Sequence, residues 1–407
     1  MKVAEKLVPE LRFPEFEDEW GIKKLKNISN IARGKFTPRP RNDPAYYGGD
    51  IPFVQTSDVV KSNGCIKTFT QTLNEKGLAV SKLFSKGTIL ITIAANIGYT
   101  GVLQIDMACP DSLIGIDCNE NIFNMYINFY LSTKQRKMDY LAPEGAQKNI
   151  NIDFLKPFKI PIPTLPEQQK IASFLSVIDK KIEKLTRKKK LLELYKKGVM
   201  QKIFSLEIRF KDDNGKDFSD WEEKRLGDVA TFLKGKSLPK ADLSIGGKLK
   251  CIRYGELYTT YSEIISKIKS ATNVEVSKLF LSKINDVIIP SSGETNIDLA
   301  TASYVSDDGI ALGGDINVIR SKENGIFLAY YLNNAKRIDI AKLAQGISVM
   351  HLYASHLKNL NLKLPVLEEQ QKIAKCLSTI DKKIESVQTQ LTKIQIFKKG
   401  LLQKMLV

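Results

Sequence analysis

The residues with catalytic side chains form no arrangement that would support a reaction. The segment 43–46 (DPAY) comes near the Asn/Asp-Pro-Pro-Tyr signature of amino-methyltransferases, but Ala45 replaces the second proline and no glycine-rich cofactor loop follows a strand nearby. The segment 230–237 (ATFLKGKS) imitates the end of a phosphate-binding loop, yet an alanine stands where the first glycine of that loop must be. His351 and His356 are the only histidines, and their spacing of five does not put two ligands on one helix face. We therefore predict no catalytic residue and no metal ligand in this chain.

The charge balance points to an anionic partner instead. Lys and Arg number 62 against 45 Asp and Glu, a net charge of +17 that favours nucleic acid or an acidic membrane face. The stretches 167–205 and 368–407 together hold 19 basic and 8 acidic residues. This charge could lie over DNA phosphates and add affinity that does not depend on base sequence, or it could be a solvated helix face.

Base recognition needs polar side chains on loops that can reach base edges. In the first half of the chain such residues occur in 34–41 (GKFTPRPR), 55–57 (QTS), 96–100 (NIGYT) and 145–149 (GAQKN). The candidates for DNA contact there are Lys35, Arg39, Arg41, Gln55, Thr56, Ser57, Asn96, Tyr99, Gln147, Lys148 and Asn149.

The second half offers counterparts in 234–240 (KGKSLPK), 253–256 (RYGE), 291–296 (SSGETN) and 346–351 (GISVMH). The candidates there are Lys236, Lys240, Arg253, Tyr254, Ser292, Glu294, Thr295, Ser348 and His351. The two sets occupy equivalent places but differ in residue type, as expected if each read a different half of a DNA target. Taken singly, any of these segments could instead be an ordinary surface loop.

These candidate segments belong to a chain that repeats itself after about 200 residues. EQQKIASFLSVIDKKIE (167–183) returns nearly unchanged as EQQKIAKCLSTIDKKIE (369–385), and YKKGVMQK (195–202) returns as FKKGLLQK (397–404), both at an offset of 202. Upstream, a W-x4-L pattern followed by a glycine between two basic residues also occurs twice, at an offset of 201. The sequence therefore predicts two similar units, like a dimer fused into one chain.

A long helix is predicted at the end of each unit, because apolar residues follow the alternating spacing of three and four that is typical of coiled coils. In the first helix these residues, interrupted by Lys189 and Lys196, are Ile171, Leu175, Ile178, Ile182, Leu185, Leu192, Val199 and Ile203. In the second they are Ile373, Leu377, Ile380, Ile384, Val387, Leu391, Ile394, Leu401 and Met405. About forty residues at ~1.5 Å each make rods of roughly 60 Å. Each apolar stripe must be buried against another element, which is either the other helix or the globular domain of its own unit.

The remaining sequence is rich in predicted strands and contains short helices, so we predict an α+β fold. The strands are predicted within 51–59, 87–94, 158–163 and 285–291, and the helices within 124–142 and 325–344. The predicted domains are 1–162, the helix 163–205, 206–364 and the helix 365–407. Two pseudo-twofold-related domains would then be separated by two long antiparallel coiled-coil helices, a symmetry that matches the local symmetry of duplex DNA.

The duplicated EQQKIA and IDKKIE segments, with DPAYYGGDIPFVQTSDV (43–59) and SSGET (291–295), resemble the specificity subunit of type I restriction-modification systems. The resemblance covers nearly the whole chain. It implies that the two domains are target recognition domains, each reading one part of a split, asymmetric sequence in double-stranded DNA. It also implies that the chain is non-catalytic and binds no cofactor itself. Two methyltransferase subunits that use S-adenosylmethionine would modify adenine, and two motor-nuclease subunits that use ATP and magnesium would cut.

Further expectations concern the termini, the compartment and two alternative functions. Since the units repeat, residues 1–35 should dock near the C-terminal end of the second helix, as 206–237 follow the first. With no signal peptide, no membrane-spanning segment and five cysteines without a C-x-x-C motif, we expect a cytoplasmic protein with reduced thiols. The alternatives are a coiled-coil scaffold that reads no bases and a self-contained DNA methyltransferase.

Overall fold

The chain folds into two compact units, each of which contains one α+β domain and part of both long helices. The computed structural model describes residues 7–143 and 148–406. Unit 1 comprises the residues up to Arg187 and those from Thr389 onward, and unit 2 is Lys188–Gln388. The predicted α+β fold with two long helices is confirmed.

Unit 1 is built on a five-stranded sheet. The segment ILIT in Ile89–Thr92 is fully buried, as expected for an apolar, β-branched strand covered on both faces. In spatial order, the five strands found in the described part of unit 1 are Ser29–Arg33, Leu113–Cys118, Ile89–Thr92, Thr100–Leu103 and Cys65–Ile66. Neighbours are antiparallel except the last pair, which is parallel.

Two smaller sheets and several short helices complete the described part of this domain. The first is a four-stranded sheet in the order Gln71–Leu73, Tyr47–Phe53, Met107–Cys109 and Lys82–Phe84, and the second pairs Gly21–Lys24 with Lys159–Ile162. The helices are Leu25–Ile28, Pro44–Tyr46, Thr56–Lys61, Glu75–Ala79, Asn124–Thr133, Gln135–Leu141 and Ile152–Leu155. The helix predicted within 124–142 is thus two helices separated at Lys134.

Unit 2 repeats this architecture. Its five-stranded sheet has the same strand order, namely Ala230–Lys234, Ile316–Ser321, Val287–Pro290, Ser303–Val305 and Ile264–Ile265. The smaller sheets join Ser270–Thr272, Leu249–Ile252 and Ala311–Leu312, then Glu222–Arg225 with Asn361–Leu364, and Ser292–Gly293 with Met350–His351. Its short helices are Leu226–Val229, Lys240–Asp242, Tyr254–Thr259, Val276–Lys278, Asn296–Leu299, Gly325–Asn334, Arg337–Leu343 and Ala354–Lys358.

The first long helix is Leu165–Phe204 and the second is Leu367–Met405. Every residue of the two predicted apolar seams is buried or half-buried, so the coiled-coil spacing is confirmed. In unit 1, Ile171 and Leu175 share one core with Leu401 and also with Tyr126 of the α+β domain. The beginning of the first helix thus packs against the end of the second, which makes the two antiparallel. The apolar stripe is therefore buried both by the other helix and by the domain.

The repeated EQQ triplet joins each long helix to its domain. Glu167 is fully buried and accepts two hydrogen bonds of 2.8 Å from the Arg12 guanidinium, which raises the pKa of Arg12. Arg209 and Glu369 form the same pair in unit 2. Gln168 accepts a hydrogen bond from the amide of Phe123 at 2.8 Å, ahead of the helix Asn124–Thr133. Gln370 accepts from the amide of Asn324 at 3.0 Å in unit 2. The first two residues of the triplet therefore have the same structural role in both units.

The N-terminal part of the first domain packs against the end of the second helix. The amide of Leu11 donates to the carbonyl oxygen of Lys404 at 2.9 Å, and Lys404 forms an ion pair with Glu10. In unit 2, the amide of Ile208 donates to Lys202 at the end of the first helix. The cyclic repeat predicted for residues 1–35 is therefore confirmed in their described part.

Candidate nucleic-acid interface

In unit 1, two of the predicted DNA-contacting segments, 34–41 and 55–57, contact the turn 110–112. Arg41 donates to both carboxylate oxygens of Asp111 at 2.7 Å, and Thr56 Oγ1 lies 3.3 Å from Ser112 Oγ. The amide of Ile93, three residues before the predicted segment 96–100, donates to the carbonyl oxygen of Ser112 at 3.3 Å, so we extend that segment to begin at Ala94. We call the segments 34–41, 55–57, 94–100, 110–112 and 148–149 the first loop cluster.

The glycine between the two basic residues of each repeat lets the main chain approach this turn. A Cβ atom at Gly34 would overlap the carbonyl oxygen of Pro110 and lie 2.8 Å from that of Cys109. At Gly235 it would overlap the carbonyl oxygen of Gly313 and lie 2.7 Å from that of Leu312. Any side chain at these two positions would push the loop away from the turn.

The three basic residues of segment 34–41 differ in how firmly they are held. The loop is anchored by Phe36, which is buried against Phe53 with ring centroids 5.0 Å apart. Arg39 folds back and donates to the carbonyl oxygen of Pro38 at 2.8 Å, while Arg41 is held by Asp111. Lys35 is exposed, and its ammonium forms no hydrogen bond or ion pair with the described residues. Lys35 is thus the cation of this loop most available to a ligand.

Segment 55–57 begins a helix rather than forming a loop. Gln55 precedes the helix Thr56–Lys61, and its amide donates to Asp58 at 2.8 Å. Thr56 and Ser57 lie in the first turn, with Ser57 exposed. The expectation of a loop is wrong here because Asp58 caps the helix, a signal that the apolar and polar pattern of 51–59 does not reveal.

Segments 94–100 and 148–149 are joined by a β-bridge between Ala94 and Asn149. Asn96 is exposed, and its carbonyl oxygen accepts a hydrogen bond from the hydroxyl of Thr92. Tyr99 is 39% exposed, and Lys148 lies 3.9 Å from Asp139. Gln147 lies outside the described residues.

In unit 2 the corresponding segments surround residues 312–315. The amide of Lys236 donates to Leu312 at 3.1 Å, that of Gly313 to Ile252 at 2.8 Å, and that of Ser291 to Asp315 at 2.8 Å. We call 235–240, 253–256, 291–296, 312–315 and 346–351 the second loop cluster.

The basic and aromatic candidates of the second loop cluster are placed as follows. The side chains of Lys236 and Lys240 are exposed. Arg253 precedes the helix Tyr254–Thr259 and donates from Nε to the carbonyl oxygen of Leu238 at 3.2 Å. Tyr254 is half-buried against the core that contains Ile252. Residues 253 and 254 therefore repeat the helix start seen at 55–57.

The remaining candidates of the second loop cluster surround a short two-stranded ladder. Ser292 pairs with His351, and Ser292 Oγ lies 3.2 Å from His351 Nδ1. The Thr295 hydroxyl bonds to Asp298 at 2.7 Å and caps the helix Asn296–Leu299. Glu294 and Ser348 are exposed.

Sequence reasoning missed the turn that organises each cluster. Asp111 and Ser112 carry no motif, and the matching residues in unit 2 are Gly314 and Asp315. The available signal was positional, because each turn lies immediately before the second strand in the spatial order of a five-stranded sheet, Leu113–Cys118 or Ile316–Ser321.

The motifs considered for catalysis have structural roles. Asp43 accepts a hydrogen bond from the amide of Ala45 at 2.9 Å and caps the turn Pro44–Tyr46. His356 Nδ1 lies 3.4 Å from the carbonyl oxygen of Leu343. In the part of the chain that the structure describes, no group of His, Cys, Asp or Glu could hold a metal ion.

Across 7–143 and 148–406, no helix has both the length and the apolarity needed to cross a membrane.

Comparison with known proteins identifies the same repeat. The family model for the type I restriction modification DNA specificity domain matches residues 17–194 and again 218–395. The type I restriction enzyme MjaIX specificity subunit of Methanocaldococcus jannaschii is 24% identical over 406 residues, covering 95% of this chain and 92% of that protein. The putative MjaX specificity subunit of the same organism is 27% identical over 409 residues, covering 96% and 94%.

A solved structure shares the fold. The crystal structure of the type I restriction-modification system S subunit from M. genitalium matches with a TM-score of 0.64 at 18% identity, covering 98% of this chain and 99% of that one. At this identity the likeness concerns the fold alone.

Proposed function

Because the chain belongs to the type I restriction modification DNA specificity family, we propose that it reads a split, asymmetric target in double-stranded DNA and brings modifying and cutting subunits to it. Each loop cluster reads one half of the target. The main observation in support is that the two units have the same strand order but present different side chains at equivalent places. For example, Ala94 and Asn149 form a bridge in unit 1, and Ser292 and His351 form the equivalent pair in unit 2.

The chemistry of the loop clusters supports a division between holding DNA and reading it. Exposed Lys35, Lys236 and Lys240 can neutralise phosphates, which adds affinity but no sequence preference. Exposed Asn96 and Glu294 carry the donors and acceptors that base edges require, while Arg39 and Arg41 would have to exchange their present partners for DNA. The net charge of +17 makes all of this binding dependent on salt.

A repeated apolar face on the long helices supports two copies of one partner, which we assign to the methyltransferase subunit. Leu194 and Tyr195 are 57% and 60% exposed, and Ile396 and Phe397, at an offset of 202, are 67% and 55% exposed. Gly198 and Gly400 follow on the same helix face, and a Cβ atom at either would have nothing within 4 Å.

Glycine in a helix interior destabilises it by about 1 kcal/mol relative to alanine. No residue of the described chain packs closely against Gly198 or Gly400. We therefore attribute the two glycines to the close approach of a partner subunit.

The chemical steps then belong to other subunits. S-adenosylmethionine would be used by two methyltransferase subunits, and ATP and magnesium by two motor-nuclease subunits, in the cytoplasm. This chain supplies the DNA address and no catalysis, and the structural role of DPAY supports that division.

Exchange of one domain tests the proposal. Residues 206–364 are replaced by the matching residues of a relative with a different target, and methylated adenines are mapped in cells that also contain the methyltransferase subunit. We expect one half of the methylated motif to change while the other half and the gap between them stay. An unchanged motif would support a scaffold that reads no bases. Methyl transfer by the purified chain alone would support a self-contained methyltransferase.

A further inference from the structure

The outermost side chains of the loop 346–351 in unit 2 are aliphatic. Ile347 is fully exposed and Val349 is 48% exposed. Ile297 and Tyr353, close in sequence to the two strands of the Ser292–His351 ladder, are 38% and 51% exposed. This end of the second loop cluster therefore offers an apolar surface where the sequence analysis expected polar contacts.

The loop holds this surface in a fixed position. The amides and carbonyls of Gln345 and His351 bond to each other at 2.9 and 2.7 Å and close the base of the loop. Gly346 has φ +140°, a conformation that side chains disfavour, and a Cβ atom there would overlap the carbonyl oxygen of Val349. The ladder to Ser292–Gly293 ties the base to the rest of the unit. Ile347 thus stands at the tip of a narrow, closed loop.

Several polar groups around this tip are already engaged. Ser292 Oγ and His351 Nδ1 bond to each other, and the Thr295 hydroxyl is held by Asp298. Contact by Ser292 or His351 with a base would require breaking their mutual bond. The Ile347 side chain forms no hydrogen bond that would have to be broken. It stands at the tip of the loop and can therefore contact a ligand without rearrangement.

The edges of the base pairs in the major groove present one apolar group, the C5-methyl of thymine. We propose that Ile347 reads thymine in the half-site of unit 2 by packing against this methyl group. The inference rests on the proposed function, which it deepens by naming the chemical group that is read.

Deoxyuridine lacks only the C5-methyl of thymine and therefore tests the contact directly. The complex of the full chain with its methyltransferase subunit is titrated with duplexes in which each thymine of both half-sites is replaced in turn by deoxyuridine. At one or more thymines, the wild-type complex should bind the deoxyuridine duplex about three- to fivefold more weakly, the factor expected for burial of one methyl group. The Ile347→Ser complex should bind both duplexes equally, with an affinity close to that of the wild type for deoxyuridine.

Ile284→Ser is the matched control. Ile284 is 59% exposed and lies just before the strand Val287–Pro290. Ser292, which pairs with His351 at the base of the Ile347 loop, lies just after the same strand. The control therefore places the same substitution at the end of this strand that is remote from the loop. The control should retain the full effect of deoxyuridine. An equal effect of deoxyuridine in wild type and Ile347→Ser at every thymine would overturn the inference while leaving the proposed function intact. A wild-type complex that does not distinguish its target from unrelated DNA would overturn both.

Discussion

Lys196 Nζ lies 2.8 Å from a carboxylate oxygen of Asp381, so a lysine that interrupts the apolar seam of the first long helix is paired with the second. Glu263 accepts from the same ammonium at 3.1 Å, and the Tyr330 hydroxyl donates to Asp381. Lys398 and Asp179 form the equivalent pair in unit 1 at 2.5 Å. A partly buried polar pair in a helix seam favours one register over its neighbours, and this pair accounts for the break in the heptad pattern.

Asp381→Asn should lower the free energy of unfolding by about 2 kcal/mol, because Lys196 is only 13% exposed and would keep a single carboxylate partner. Urea unfolding followed by circular dichroism measures the change. The double substitution Lys196→Met with Asp381→Asn should cost less than the sum of the single ones. Strict additivity would mean that the pair does not couple the helices.

Gly198→Ala and Gly400→Ala should act in opposite directions on the free chain and on its complex. Alanine stabilises a helix interior by about 1 kcal/mol relative to glycine, so each variant should raise the melting temperature of the chain alone. A Cβ atom would at the same time hinder the partner that the repeated face accommodates. Calorimetric titration with the methyltransferase subunit should therefore show weaker binding.

Glu193→Ala and Gln395→Ala are the controls, since both residues are exposed on the same helices but turned away from this face. These controls should bind the partner as the wild type does. Unimpaired binding by both glycine variants would remove the argument for the repeated docking face.

Gly34→Ala should weaken binding to the specific DNA target by about tenfold or more, a change of ~1.4 kcal/mol. The added Cβ atom would collide with main-chain oxygens of Pro110 and Cys109, so the loop carrying Lys35 must move. Fluorescence anisotropy with target and unrelated duplexes separates loss of reading from loss of general affinity. Gly21→Ala is the control, because its nearest neighbouring atom would be 4.0 Å away. Equal binding by the two variants would contradict the role given to the turn 110–112.

All five cysteines are free thiols, and they should react slowly with iodoacetamide in the folded chain. Burial raises the pKa of every one of them, that of Cys251 to about 11 and that of Cys118 to about 12. Since the thiolate is the reactive form, little of it exists on Cys118 and Cys251 at pH 8, and raising the pH to 9 should add little labelling of these two residues. Mass spectrometry should find complete labelling in urea but little labelling in buffer. Rapid labelling of Cys251 in buffer would contradict the burial.

The long helices and the repeat could be predicted because their signals are local and periodic. Every residue that the 4-3 spacing predicted for the seams is buried or half-buried, and the offset of 202 matched Lys196 to Lys398 and Asp179 to Asp381. The helix start at Gln55 and the break at Lys134 depend on single capping and backbone choices that the apolar pattern does not encode. The turn 110–112 and the bridge from Ala94 to Asn149 join residues far apart in the chain, and pairings of that kind arise only when the sheet forms.

The central claim is that this chain determines which DNA sequence the complex recognises. It is tested most directly by mapping methylated adenines in cells with the methyltransferase subunit, in the presence and in the absence of this chain alone. The account predicts a split motif with a fixed gap that disappears when the chain is absent. Identical maps in the two kinds of cell would contradict it.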